Sequence, residues 1–148
     1  MELSQQIALV SAMGFFLVGL LSGIWKYAAI RSSDDATAPP YVDVCHRASL
    51  LYAFACLLLE RMAEVSALPP SVELPALLAP ISFFALAVST YAVHGWLNDT
   101  DNQLRRPHTL GARPLPRGLV HSFMVTLVLA EVGGFVVLAG GVLAALPG

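Results

Sequence analysis

Residues 7–24 read IALVSAMGFFLVGLLSGI, from Ile7 to Ile24, without one charged side chain. A helix of ~20 apolar residues crosses a hydrocarbon layer about 30 Å thick, so this run is a membrane span before any other feature is considered. It ends in Trp25-Lys26-Tyr27, two amphipathic rings and a cation that suit the membrane–water interface. Before it, Met1 to Gln6 carries Glu2 and no Lys or Arg, so the run lacks the basic start of a signal peptide and reads as a retained helix. Gly19 and Gly23, four residues apart, predict a flat face where a second helix approaches closely.

Working outward, three further runs have the same character. The spans fall at about 7–27, 44–66, 74–97 and 119–141. Pro39-Pro40 and Pro69-Pro70 punctuate them, because proline has no N–H for an interior helical turn. Pro80 predicts a kink in the third span, and Gly140-Gly141 a tilt or break near the end of the fourth. Composition agrees. The 148 residues are 57% hydrophobic and 12% charged, against about 25% charged in an average soluble domain. The expected fold is all-α: a polytopic membrane protein with four transmembrane helices in a bundle and one membrane domain over residues 1–148. A net charge of −2 gives no basic field for nucleic acid. Cys45 and Cys56, eleven residues apart in one span, suit neither a disulfide nor a metal pair and read as small buried hydrophobes.

Lys26, Arg31, Arg47, Arg105, Arg106, Arg113 and Arg117 lie in or beside two loops on one side, and only Arg61 lies toward the other. The excess of positive charge predicts that both loops are cytoplasmic and both termini face the opposite side.

The loop from Trp96 to Gly118 concentrates the polar chemistry. It holds two of the ten acids and four of the eight Lys/Arg residues. Asn98, Asp99, Asp101 and Asn102 offer hard oxygen ligands of the kind Mg²⁺ takes together with substrate phosphates. Arg105, Arg106 and Arg113 follow, and guanidinium groups bind phosphate oxygens in pairs. On residue types alone, Asp99 and Asp101 suit a metal that holds a lipid diphosphate, and a positive-inside loop of solvated charges is the alternative. Asn98, Asn102, Arg47, Arg105, Arg106 and Arg113 are expected around a lipid diphosphate. Glu131, deep in the fourth span, is a further candidate, because a carboxyl at membrane depth is costly and marks function or a pairing with a tyrosine such as Tyr52 or Tyr91. His46, His94 and His121 stand at span ends and His108 in the loop; helix-end histidines can bind haem or a transition metal, but no paired spacing supports that here.

Asn98-Asp99, followed by Arg113-Pro114-Leu115-Pro116 and Gly118 fifteen residues after the asparagine, resembles the first aspartate-rich loop of the UbiA-type membrane prenyltransferases. Tyr91 and Gly95 before it, and Tyr41 to Arg47 upstream, are similar to that family as well, so the likeness covers about residues 41–141. The family's second acid falls on Asn102 and its third on Arg106, with Asp101 one residue early as the substitute carboxylate. The family has about nine helices and a second acidic loop; this chain resembles the N-terminal half with one helix added in front.

The resemblance implies Mg²⁺-dependent prenyl transfer, or isoprenoid-diphosphate binding, at the cytoplasmic membrane face. It implies a lipophilic acceptor, surrounding membrane lipid, and a second copy or partner membrane subunit to supply the missing loop. The enzyme class expected is a prenyltransferase-like transferase. A non-catalytic membrane interaction or scaffold protein derived from the same family is the alternative, marked by the replaced acids, and a haem or metal redox protein is a third.

Overall fold

Prolines set the helix starts. In the computed structural model, which describes residues 1–147, α1 spans Leu3–Arg31, α2 Pro40–Val65, α3 Pro70–Leu97 and α4 Arg117–Ala145. Pro40 and Pro70 each occupy the first turn of a helix, where the missing N–H costs nothing. All four helices are long and apolar enough to cross a membrane, and the chain is a membrane-spanning helical bundle. Between α3 and α4 a two-stranded hairpin pairs β1, Thr109–Leu110, with β2, Arg113–Pro114, antiparallel.

The central pair is α2 and α3, with α1 along α2 and α4 mainly against α3. On α1 the buried positions are Ser4, Ala8, Ala12, Phe15, Gly19 and Ser22. Steps of four and three residues put them on one stripe, and all but Phe15 are small, so the backbones of α1 and α2 come close. A Cβ built on Gly19 would lie 2.5 Å from Leu50 Cδ2, and one on Gly23 would lie 2.9 Å from His46 Cε1. His46 Nδ1 donates to the Gly19 carbonyl at 2.8 Å, a bond available only because no side chain intervenes. The glycine pair thus acts as its spacing predicts.

At mid-depth an aromatic cluster ties three helices together. The rings of Tyr52 and Phe84 stack with centroids 4.2 Å apart, and Phe15 meets both edge-on at 6.1 and 6.5 Å. Such pairs contribute about 0.5–1.5 kcal/mol each beyond the area they bury.

Neither Pro80 nor Gly140-Gly141 ends its helix. Helix α3 runs through Pro75 and Pro80. Pro80 supplies no N–H to the Ala76 carbonyl four residues back. Gly134 of α4 backs onto that carbonyl and onto the Pro80 ring, which shields the freed oxygen from hydrocarbon. Helix α4 likewise continues through Gly140 and Gly141; Gly141 packs on Ser66 and Leu68, and its carbonyl accepts the Ala67 N–H at 3.1 Å.

The α1–α2 connection, flanked by Lys26, Arg31 and Arg47, and the α3–α4 loop with its arginines lie at one end of the bundle, and the termini at the other. Tyr41, at the start of α2, accepts the Gln103 N–H through its hydroxyl at 2.6 Å. At the opposite end Ser4 donates to Glu73, with the two residues 5% and 4% exposed. Ser4→Ala leaves that buried carboxyl oxygen without its donor. It is expected to cost about 1–3 kcal/mol, read by thermal unfolding in detergent, with Ser4→Thr retaining most of the stability.

Candidate functional site

The loop after α3 is built by one carboxylate. Asn98 closes the helix in the left-handed region at φ 46°, its N–H bonded to the His94 carbonyl at 2.9 Å. An asparagine tolerates that conformation better than most residues. The reversal brings Asp99 back over the last turn. Its Oδ1 accepts from His94 Nδ1 at 2.7 Å and its Oδ2 accepts the Gly111 N–H at 2.5 Å. Both side chains of the His94–Asp99 pair are nearly buried, at 5% and 8% exposure. Gly111, at φ +58°, makes the hairpin turn that presents this N–H. Burial pushes the Asp99 carboxyl up, but the hydrogen bonds from His94 and Gly111 outweigh it and hold the group below the ordinary carboxylate range.

Around this clamp the family-like residues take structural places. Arg113-Pro114 forms β2, Leu115 N–H bonds the His108 carbonyl at 2.8 Å, and Pro116 starts α4. Gly95 lets Trp25 and Val42 approach: a Cβ there would meet both at 3.1 Å. Tyr41 stacks on Tyr91 with centroids 5.9 Å apart and lies 5.2 Å from the His94 ring. Tyr41, Tyr91, His94 and Asp99 are thus one contiguous support beneath the loop.

The other expected site residues do not converge. Asp101 pairs with Arg105 through both oxygens, at 2.8 and 3.0 Å, in an exposed contact. Arg47 pairs with Asp43 at 2.8 Å, and Lys26 reaches the other oxygen of the same carboxylate. Asn102 is exposed and caps its own turn, its Oδ1 accepting the Leu104 N–H at 2.9 Å. Arg113 is exposed on the hairpin. Asp99, Asn102, Arg105 and Arg106 do border one shallow pocket of about 270 Å³, without Asp101. Glu131 has a buried Oε1 with no hydrogen-bond partner, and no bond joins it to Tyr52 or Tyr91 among the described residues.

The expected Mg²⁺ is therefore corrected. Among the described residues no group of three or more His, Cys, Asp or Glu side chains is placed to hold a metal ion. Asp99 has both oxygens committed to His94 and Gly111, and Asp101 points to its own arginine. The donor set read from the loop does not fit the ion. The histidines are dispersed too: His46 serves Gly19, His94 serves Asp99, and only His108 and His121 share a pocket.

Two adjoining cavities were not legible in the loop motif. The residues of α4 that are buried, Gly134, Leu138 and Gly141, all lie in its second half. They are small or sit at the glycine contact, so that half packs tightly on α3. The first half carries Leu119, Phe123 and Met124 and stands off α3, held by Phe83 against Phe123 with centroids 5.7 Å apart. An apolar cleft of about 260 Å³ opens there, bordered by Thr90, His94, Leu115, Leu119 and Phe123. Leu104, Val120 and Met124 border both this cleft and a polar pocket of about 460 Å³. That second pocket holds Arg106, His108, Arg117 and His121. No match to the chain is found among protein-family models, curated proteins or solved structures. The arrangement is an apolar slot near the loop end of the bundle that shares a border with a basic pocket.

Proposed function

We propose that this chain is a membrane-embedded, non-catalytic module that binds an isoprenoid diphosphate, and that it derives from the UbiA-type prenyltransferases. The single observation that supports this is the apolar cleft between α3 and α4 directly under the arginine-bearing loop. A ligand with a hydrocarbon chain and an anionic head matches that order of surfaces. The chain enters from the bilayer, and the head remains at the loop end of the bundle beside Arg106 and Arg117, in the pocket that shares a border with the cleft. Binding rather than transfer is the reading, because Asp99 is engaged in holding the loop and Asp101 is paired outside it with Arg105. The excess of Lys and Arg in or beside the two connections then turns the head-group end toward the cytoplasm.

The test is direct binding of farnesyl diphosphate to the detergent-solubilised chain. Thr90→Phe fills the cleft and is expected to weaken binding at least about tenfold, whereas Leu129→Phe, on the exposed face of α4, leaves it unchanged. Equal affinity for the native chain and Thr90→Phe sinks the proposal. Since an apolar contact of this kind is worth about 1–3 kcal/mol, a tenfold loss is the expected scale.

A further inference from the structure

We infer that the cleft between α3 and α4 also takes an uncharged isoprenoid alcohol, whose hydroxyl donates a hydrogen bond to His94 Nε2 while Asp99 holds the ring in place. The inference shares its cleft with the binding function proposed above but needs no anionic head group.

The cleft suits a neutral polar group. No Lys, Arg, Asp or Glu borders it, and its polar edge consists of Thr90, His94 and Gln103. The Thr90 hydroxyl is already engaged, donating to the Ala87 carbonyl of its own helix at 2.8 Å. A phosphate inside this space would lose its water without gaining a cation, whereas a hydroxyl needs only one acceptor.

His94 supplies that acceptor. Its Nδ1 bonds Asp99 Oδ1 at 2.7 Å, and Asp99 Oδ2 accepts the Gly111 N–H at 2.5 Å. A carboxylate that accepts at both oxygens leaves the shared proton on Nδ1, so in the neutral ring the lone pair is on Nε2. Tyr41 lies against the ring, with centroids 5.2 Å apart, and fixes its plane further. Among the described residues, the side-chain atoms that are both enclosed and unpaired are His108 Nδ1 and Glu131 Oε1. His94 Nε2 has no partner there either, but it is not enclosed, and the open space that His94 borders is the cleft. His94 stands one turn nearer the loop than Thr90 on the same face of α3. A hydroxyl at His94 therefore places its hydrocarbon chain past Thr90 and Phe123. An acceptor held in this way at the end of an apolar slot separates an alcohol from an ether of similar shape, because the ether brings no O–H.

The test compares farnesol with farnesyl methyl ether on the full chain in lipid nanodiscs, with empty nanodiscs correcting for partition. The native chain is expected to bind farnesol about tenfold more tightly than the ether, the upper scale of one net hydrogen bond. His94→Asn keeps an amide N–H near the place of Nδ1 for Asp99 but has no atom at Nε2, and it is expected to bind both probes equally. ¹⁵N-histidine NMR of the native chain reads the contact without relying on a variant's fold. Farnesol is expected to shift the His94 Nε2 resonance and the ether to leave it in place; a histidine that only supports the loop would respond to neither. Equal binding of alcohol and ether by the native chain, or an unmoved Nε2 resonance at saturating farnesol, overturns the inference. Farnesyl diphosphate run in parallel separates the two readings. If Thr90→Phe weakens its binding while the native chain does not distinguish alcohol from ether, the diphosphate reading stands and the hydroxyl site is wrong. If farnesol is preferred in a His94-dependent way but farnesyl diphosphate does not bind, the hydroxyl site stands and the diphosphate reading is wrong.

Discussion

Asp99→Ala is expected to lower stability by about 2–5 kcal/mol and to expose the 98–116 loop to trypsin. The substitution removes two acceptors at once, leaving His94 Nδ1 and the Gly111 N–H buried without partners. Each such group costs about 1–3 kcal/mol. The hairpin then loses its tie to α3, and the Arg105–Arg106 bond becomes cleavable, while Arg106 and Arg113 precede proline and resist trypsin. Asp101→Ala removes an exposed pair with Arg105 and is expected to cost under about 1 kcal/mol. The comparison is decisive, since two carboxylates sharing a metal would fail together. Acid gives the same result by another route. Because the folded Asp99 carboxyl titrates below its ordinary value, its contribution is present above about pH 4, the usual unfolded value. It is lost as pH falls through the lower folded value. Trypsin is inactive there, so pepsin reads the opening in the native chain. Asp99→Ala should show no such acid transition, and an unaltered transition in that variant would assign the event to another group.

Gly134→Leu is expected to separate α4 from α3, with a loss of about 3 kcal/mol and of farnesyl diphosphate binding. A Cβ at 134 would collide with the Ala76 carbonyl oxygen and lie 2.7 Å from Pro80 Cδ. The obstacle is backbone and a proline ring, neither of which can rotate away, so the penalty lies at the upper end of overpacking costs. The contact also covers the carbonyl that Pro80 leaves without a donor, and separation would return that oxygen to hydrocarbon. Gly133→Leu is the control: a Cβ there meets nothing within 4 Å, and its effect is expected within about 0.5 kcal/mol. Unfolding measured in detergent should rank the two variants clearly; equal stability would mean that α4 is not seated at Gly134.

The bundle itself was legible in the chain. Ile7–Ile24 requires a helix in hydrocarbon, since no other open segment satisfies its own backbone there. The Pro39-Pro40 and Pro69-Pro70 pairs read as breaks before spans expected from about 44 and 74, whereas α2 and α3 start at Pro40 and Pro70 themselves. Gly19 and Gly23 announced the α1–α2 contact because spacing of four fixes a helix face. The site was legible only as a list of polar residues. Asp99 and Asp101 are equivalent as letters, both carboxylates near the end of a span. The left-handed turn at Asn98 makes them different, sending Asp99 under the loop to His94 and Gly111 and leaving Asp101 outside with Arg105. A sequence carries no record of which hydrogen bonds a side chain has already made, and a ligand set depends on that.

The same division holds for α4. Its apolar character and length follow from residues 119–145 alone. The cleft does not, because it results from a difference between two halves of one helix: glycine and a proline-freed carbonyl meet at one end, and bulky side chains hold the other end apart. Likewise His108 and Arg117 are nine residues apart and separated by a hairpin, so only the turn at Gly111 brings them to one pocket. Sequence by itself determined four membrane helices and an end rich in positive charge, because hydropathy and backbone satisfaction are local requirements. Tertiary structure decided which carboxylates are spent, where α4 stands away from α3, and which basic groups face a common space, because these depend on distances between segments that local composition does not set.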